Sequence, residues 1–369
     1  MKNRFLLFAL CSAFALTAAA QVKVKMGGRL YLDGGFYTNA PEGFNAAAEI
    51  ADIRVTTKVS LGDGWKGKLD VSYADNKVRL KDVFIQKSIN DHHFRVGHMF
   101  GMFSMEQSNS SNDFLFIAPA MVANMFGPSR RVGASYTYAA PHYYFSSGAF
   151  MGDELHFDKD IKQGFNATAR FVYRPFIEPG RFLHVGVGGL FRKPDHPVGE
   201  TDHTLELSTE ANTKLSSPDV FHLALPHFEN AWQWNAEMFG QLGRFFMQAE
   251  YMQMLVHRKE VSNYMAHGGY VQAGVVLKGE HMSYDMEDAF SLCSSTPGSL
   301  LLFGRFSATD LNDGEVFGGY AYDASVGLNY YMTKHLIFRL NYSHQWADEH
   351  TAVGDTNWGL MQGRIQLKF

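Results

Sequence analysis

Residues 336–343 read Leu-Ile-Phe-Arg-Leu-Asn-Tyr-Ser. Leu336, Phe338, Leu340 and Tyr342 fall on every second position, with Arg339, Asn341 and Ser343 between them. Side chains alternate across a strand, so this spacing sets Arg339 on the face opposite the apolar residues. The period recurs outward from this stretch. Ile365, Leu367 and Phe369 alternate with Arg364, Gln366 and Lys368, and Tyr322, Ala324, Val326, Leu328 and Tyr330 with Asp323, Ser325, Gly327 and Asn329. Leu69, Val71 and Tyr73 interleave with Lys68, Asp70 and Ser72. Val132, Ala134, Tyr136 and Tyr138 interleave with Arg131, Gly133, Ser135 and Thr137, and Ala167, Ala169, Phe171 and Tyr173 with Thr168, Arg170 and Arg174. Turn residues separate the runs; Asp63-Gly64 and Leu242-Gly243 have the composition of tight hairpin turns.

Alternation alone also suits a soluble sandwich, whose strands carry one apolar and one polar face. Three features favour a barrel that crosses a membrane: the strands are long and numerous, the apolar face is heavy in aromatics, and full charges sit deep within strands. The chain has 31 Phe and 17 Tyr in 369 residues, which supplies the aromatic weight. Mean hydropathy is slightly negative, which excludes a chain made mostly of spanning helices. After the leader, no stretch approaches the roughly 18 apolar residues a spanning helix needs. A closed barrel pairs all its backbone groups and needs no such helix. The marked segments number about 16 or 17, and single-chain bacterial barrels have even strand counts. The expected fold is all-β, a transmembrane antiparallel barrel of 16 strands around an aqueous channel.

Residues 1–20 read as a cleaved signal peptide: Lys2 and Arg4, an apolar run from Phe5 to Leu16, then Ala18-Ala19-Ala20 before Gln21. The barrel domain is then expected over 21–369. Cys11 follows Leu10 inside the apolar run, which argues against a lipoprotein, and Cys293 alone remains afterwards, so no internal disulfide forms. The formal charge of −4 excludes a general nucleic-acid binder, which needs a basic surface. The segment 100–127 is too long for a simple connection, and in a barrel it would fold inward as a constriction. The stretches 193–226 and 282–297 are further long loops.

Four blocks resemble the phosphate-selective porin O and P family. The first is Arg95-Val96-Gly97-His98, Phe103-Ser104-Met105-Glu106-Gln107-Ser108 and Arg130-Arg131-Val132-Gly133. The second runs from Trp234 to Tyr251, and the third joins Gly269-Tyr270-Val271-Gln272 to Lys278-Gly279-Glu280 and Tyr284. The fourth runs from Arg305-Phe306-Ser307 through Leu311-Asn312-Asp313 to Tyr331. Their order spans almost the whole chain after the leader. The resemblance implies a 16-stranded barrel in the outer membrane of a Gram-negative bacterium, usually a homotrimer, with a basic pore that passes small anionic solutes. Phe369 is similar to the terminal aromatic that such barrels present to their assembly machinery. The segment 101–127 holds no Lys or Arg, although Ser104, Ser108, Ser110 and Ser111 stand there beside Glu106 and Asp113. Anion preference, with phosphate as one candidate, is therefore expected in place of phosphate selectivity.

Taking the apolar face as outward assigns Arg54, Lys58, Lys68, Arg95, Arg131, Arg170, Arg174, Arg192, Lys278, Arg305, Arg339, Arg364 and Lys368 to the lumen. The acids on that face are fewer: Asp70, Asp82, Glu206, Glu237, Glu250 and Asp323. Basic rings favour anions, because a low-dielectric wall focuses their field into the channel. The opposite outcome is that these charges pair across strands and only brace the wall.

Other constellations lack the required context. His92-His93 has no metal-site spacing. Gly186 to Gly189 precedes no helix, so it is no phosphate cradle. Gly127-Pro128-Ser129-Arg130 lacks the glycine of a nucleophile elbow. The Asp310–Gly314 turn lacks the downstream Glu of a calcium loop. Trp232 and Trp234 read as membrane-interface anchors. The expectation is a passive channel with no catalytic residue, metal or cofactor, in contact with outer-membrane lipid. The rivals are a lipid-hydrolysing barrel, a plugged barrel that acts as an adhesin, and a soluble sandwich.

Overall fold

The computed structural model describes residues 22–152, 159–200, 202–213, 215, 217–292 and 296–369. The expected signal peptide and Cys293 lie outside them. Sixteen antiparallel strands form a closed barrel. In chain order they are β1 (Lys23–Thr38), β2 (Ala47–Gly62), β3 (Trp65–Ala74), β4 (Lys77–Ile89), β5 (His92–Phe100), β6 (Arg130–Ala139), β7 (Tyr143–Phe150) and β8 (Phe165–Glu178). They continue as β9 (Arg181–Lys193), β10 (Phe228–Leu242), β11 (Phe245–Arg258), β12 (Tyr264–Lys278), β13 (Ser299–Asp313), β14 (Val316–Tyr331), β15 (Leu336–Ala347) and β16 (Thr356–Lys368). Each strand pairs with its chain neighbours, and β16 closes on β1 from Arg29↔Lys368 to Thr38↔Gly359. Phe369 extends the seam, since the Gly28 amide donates to its carbonyl at 2.9 Å.

Period two decides which residues meet lipid. Phe171, Tyr173, Trp232, Trp234, Tyr251 and Phe306 are exposed on the outer surface, and Tyr322 stacks on Trp346 at 4.9 Å. The first described strand starts and the last one ends at the same end of the barrel, where short turns join most of the strands. At Asp63-Gly64 both residues have positive φ, 48° and 78°, as the hairpin turn that follows strand twist requires. A Cβ on Gly64 would also fall 2.1 Å from the Ser88 carbonyl.

Three segments fold into the barrel. The first is the loop between β5 and β6, which carries α1 (Met121–Phe126). The second is a hairpin, Leu205–Glu210 with Asp219–Leu225, from the β9–β10 connection at the same end. The third is a small hairpin, Ser283–Asp285 with Phe290–Leu292, from the opposite, terminal end between β12 and β13. Phe103, Met121, Val122 and Phe126 of the first segment pack with Leu205, Leu207, Val220 and Phe221 of the second. They also bury Met252, Met254 and Val256 on the inner face of β11 and Trp358 on β16. This explains why β11 loses its polar face near the loop end. Where an inserted segment replaces water, an inward apolar side chain contributes about 1.5–3 kcal/mol by burial.

Candidate functional site

The inner face of β1–β4 holds basic residues in register. Lys25 lies opposite Lys58, which lies opposite Lys68, giving a row of lysines over three adjacent strands. Further up, Arg29 faces Arg54, Arg54 faces Ser72 and Ser72 faces Arg79. Neighbouring strands are roughly 4.8 Å apart, so these cations share one field. Asp52 takes Arg29 and, at 3.3 Å, Arg54. Lys68 lies 3.1 Å from Asp70 and 2.6 Å from Asp82, and Arg130 also reaches Asp82 at 2.6 Å. Lys81 adds its charge beside Arg130 and Arg54. Cations outnumber carboxylates on this arc, and Lys25 and Lys58 are exposed to the lumen.

The opposite arc is covered. The Arg305 guanidinium donates to the Ala118 carbonyl at 3.1 Å, and Asn329 to that of Leu115 at 2.9 Å. Arg339 donates to the carbonyls of Phe114 and, at 2.7 Å, Asn112. The Ile117 amide donates to Asn341 at 2.9 Å. At the other limb of the loop, Glu250 accepts the Ser104 hydroxyl at 2.6 Å and the Glu106 amide at 2.7 Å. Glu106 in turn accepts the Ala120 amide at 3.2 Å, tying both limbs together. Burial pushes the Glu106 carboxyl up, only partly countered by Arg305 and by that amide. Ser108 is buried, Ser110 is exposed, and Ser111 and Asp113 are half-buried at the lumen edge. The tip is tied to the seam, where the Tyr31 hydroxyl donates to Asn112 at 2.7 Å. Burial raises the Asp113 carboxyl too, against the pull of Lys368, Arg339 and Arg29.

The terminal-end hairpin meets this loop, because Asn109 donates to the Ser291 carbonyl at 3.0 Å. Together the two cross the lumen; on β1–β4 Lys25 and Lys58 stay exposed and Arg54 and Lys68 partly so, while Arg29, Asp52 and Asp70 are buried.

Several expected pore residues have another role. Arg170 is buried and donates to Glu237 at 2.8 Å and to the carbonyls of Asp288 and Ala289 at 3.1 and 2.7 Å. Arg174 donates to the carbonyls of Met286 and Ala140, and Arg364 grips Asp33 with two bonds, at 2.7 and 2.6 Å. Arg170, Arg174, Arg305, Arg339 and Arg364 thus stand on the inner face but under protein, because inserted backbone and carboxylates take their donors. Glu237, Glu250 and Asp323 are buried there with them. Arg95 meets Asp288 at 2.9 Å, Arg131 meets Asp195 at 3.4 Å, and Arg192 reaches the Met254 sulfur at 3.5 Å. Two residues fall off the expected wall. Lys278 is exposed at the end of β12, past a register shift after Val276, and Glu206 belongs to the inserted hairpin. Lys25, Lys81 and Arg130 join the site, with Arg29 buried behind them against Asp52. For Lys25 and Arg29 the sequence signal is their alternation with Val24, Met26 and Leu30.

A family model described as phosphate-selective porin O and P matches residues 24–369. An uncharacterized protein of Caulobacter vibrioides is 25% identical over 345 residues, covering 86% of this chain and 67% of that protein. Among solved structures, the anion-selective porin from Comamonas acidovorans superposes with a TM-score of 0.63 at 11% identity, covering 95% of this chain and 100% of the porin. OmpT of Vibrio cholerae, an outer membrane protein in its trimer form, gives 0.62 at 10% identity, covering 94% of this chain and 99% of its own.

Proposed function

We infer the function from the premise that the chain belongs to the phosphate-selective porin O and P family and is an outer-membrane barrel. It is a channel for passive diffusion of small hydrophilic solutes, it prefers anions, and phosphate is one solute it admits. One observation carries the preference: the arc left open by the inserted segments bears Lys25, Lys58, Lys68, Arg54 and Lys81 with fewer carboxylates. A cation row in a low-dielectric wall raises the local anion concentration without a tight binding site. The covered arginines position the constriction and do not meet solute. The anion-selective porin among the structural neighbours supports this reading. In a planar bilayer under a KCl gradient, changing Lys25, Arg54 and Lys58 together to Gln shifts the reversal potential toward cations. An unmoved potential refutes the assignment.

The working unit is a homotrimer. The trimer form of a structural neighbour supports this, and so do the outer faces of β2 and β4, which carry aliphatic residues and no aromatic. The domain comprises residues 21–369 after removal of 1–20, with 100–127 as the constriction. Phe369, exposed at the seam, is the residue the assembly machinery reads. Size measurement of detergent-extracted protein tests the trimer.

A further inference from the structure

The hairpin between β12 and β13 carries chemistry that the channel function leaves unused. Its tip meets β4 and β5, and β12 and β4 stand eight places apart in a ring of sixteen, so the hairpin crosses the lumen. Its body lies along the far wall, with the Tyr284 ring 4.2 Å from Phe182 and its hydroxyl 2.7 Å from His184 Nδ1. Arg170 and Arg174 hold the tip by its backbone carbonyls. That leaves the tip carboxylates to face the open arc. Glu287 lies 3.7 Å from Lys66 and 3.5 Å from Arg95, and accepts from Gln86 at 2.9 Å. Asp288 lies 2.9 Å from Arg95. Burial works against the Glu287 charge, yet Gln86, Lys66 and Arg95 hold its carboxyl below the usual range. Both side chains remain open to lumen water, at 39% and 26% exposure.

We propose that Glu287 and Asp288 form a tethered counter-anion: they occupy Lys66 and Arg95 at the edge of the basic arc, and a permeating anion competes with them there. The inference rests on the anion-preferring channel and names the residues that limit its selectivity. The tip is placed to do this because its backbone and its side chains have separate anchors. The fold of the hairpin therefore does not depend on the carboxylates, and their charge sits beside the path, where opposite and like charges act strongly.

The test is E287Q/D288N in a planar bilayer, with reversal potential under a KCl gradient and current block by inorganic phosphate. The anion-to-cation permeability ratio is expected to rise about threefold or more, and the half-blocking phosphate concentration to fall several-fold, with the conductance step kept near wild type. E287D/D288E, which keeps the charge, leaves the ratio at its wild-type value. Should the double variant fail to insert, E287Q alone gives a smaller rise. A ratio that stays constant or moves toward cations on neutralisation overturns the proposal. A wild-type channel that favours cations contradicts the anion reading separately, and a rise on neutralisation would still support the role of the tip.

Discussion

Glu250 ties down the first limb of the loop between β5 and β6, and its replacement by alanine is the most informative perturbation of that loop. Both carboxylate oxygens are committed, one to the Ser104 hydroxyl at 2.6 Å and one to the Glu106 amide at 2.7 Å, in a buried site. Removing the acceptor leaves the Ser104 hydroxyl and the buried Glu106 amide unpartnered, at about 1–3 kcal/mol each, or roughly 2–6 kcal/mol gross. Glu250 also lies opposite Glu237 in register, and removing one of two buried acids relieves part of that cost. A net loss of about 2–4 kcal/mol follows. At roughly 1.4 kcal/mol per decade, the population with the first limb released rises about 30- to 700-fold. Arg305, Asn329 and Arg339 still hold the second limb, so the loop swings and does not leave. In single-channel recordings Glu250→Ala should show brief excursions to larger conductance. Glu250→Gln, which keeps one acceptor oxygen, should show fewer. Steady wild-type current in Glu250→Ala, together with an unchanged thermal unfolding midpoint, would show that Glu250 does not anchor the loop.

Other outcomes follow from the same contacts. Arg170→Glu should loosen the terminal-end hairpin more than it changes selectivity, because it sets a like charge on buried Glu237; breaking such a pair costs about 3–5 kcal/mol, visible in thermal unfolding. Burial raises the Glu106 carboxyl above its ordinary 4.5, so its contribution to loop docking is fully present below that pH and is lost as pH rises through the raised value. Excursions to larger conductance should therefore become more frequent from acid toward neutral pH, and Glu106→Gln should flatten that trend. Asp113→Asn removes a partly buried acid from the loop tip at the lumen edge and should move the reversal potential toward anions by a few millivolts.

The barrel was legible because strand period is local: Leu336, Phe338 and Leu340 declare their outward face without any distant partner. The length of 100–127 likewise set that segment apart from a simple connection, and its backbone meets Arg305, Asn329 and Asn341 of the inner wall. The work done by the arginines was not legible. Arg339 meets Asn112, and Arg174 meets Met286, across more than a hundred residues, and no spacing rule links a strand cation to a loop carbonyl. The alternation marks which way Arg339 points but not what covers it. Near Met252 and Val256 the rule itself weakens, because an inserted hairpin makes the inner face as apolar as the outer. Lys278 departs from the pattern through a shift after Val276, and a one-residue slip turns a strand's remaining side chains to the other face.

Solute is expected to pass along β1–β4 while the arginine-bearing wall beneath the loop stays sealed. Single cysteines in a Cys293→Ser background test it most directly. Thr56→Cys faces the open arc between Arg54 and Lys58, and Ser343→Cys lies buried on the covered wall. A small anionic thiol reagent added to the open channel should reduce current in Thr56→Cys and leave Ser343→Cys unmodified. Rapid modification of Ser343→Cys with a silent Thr56→Cys would place the path on the other side of the lumen.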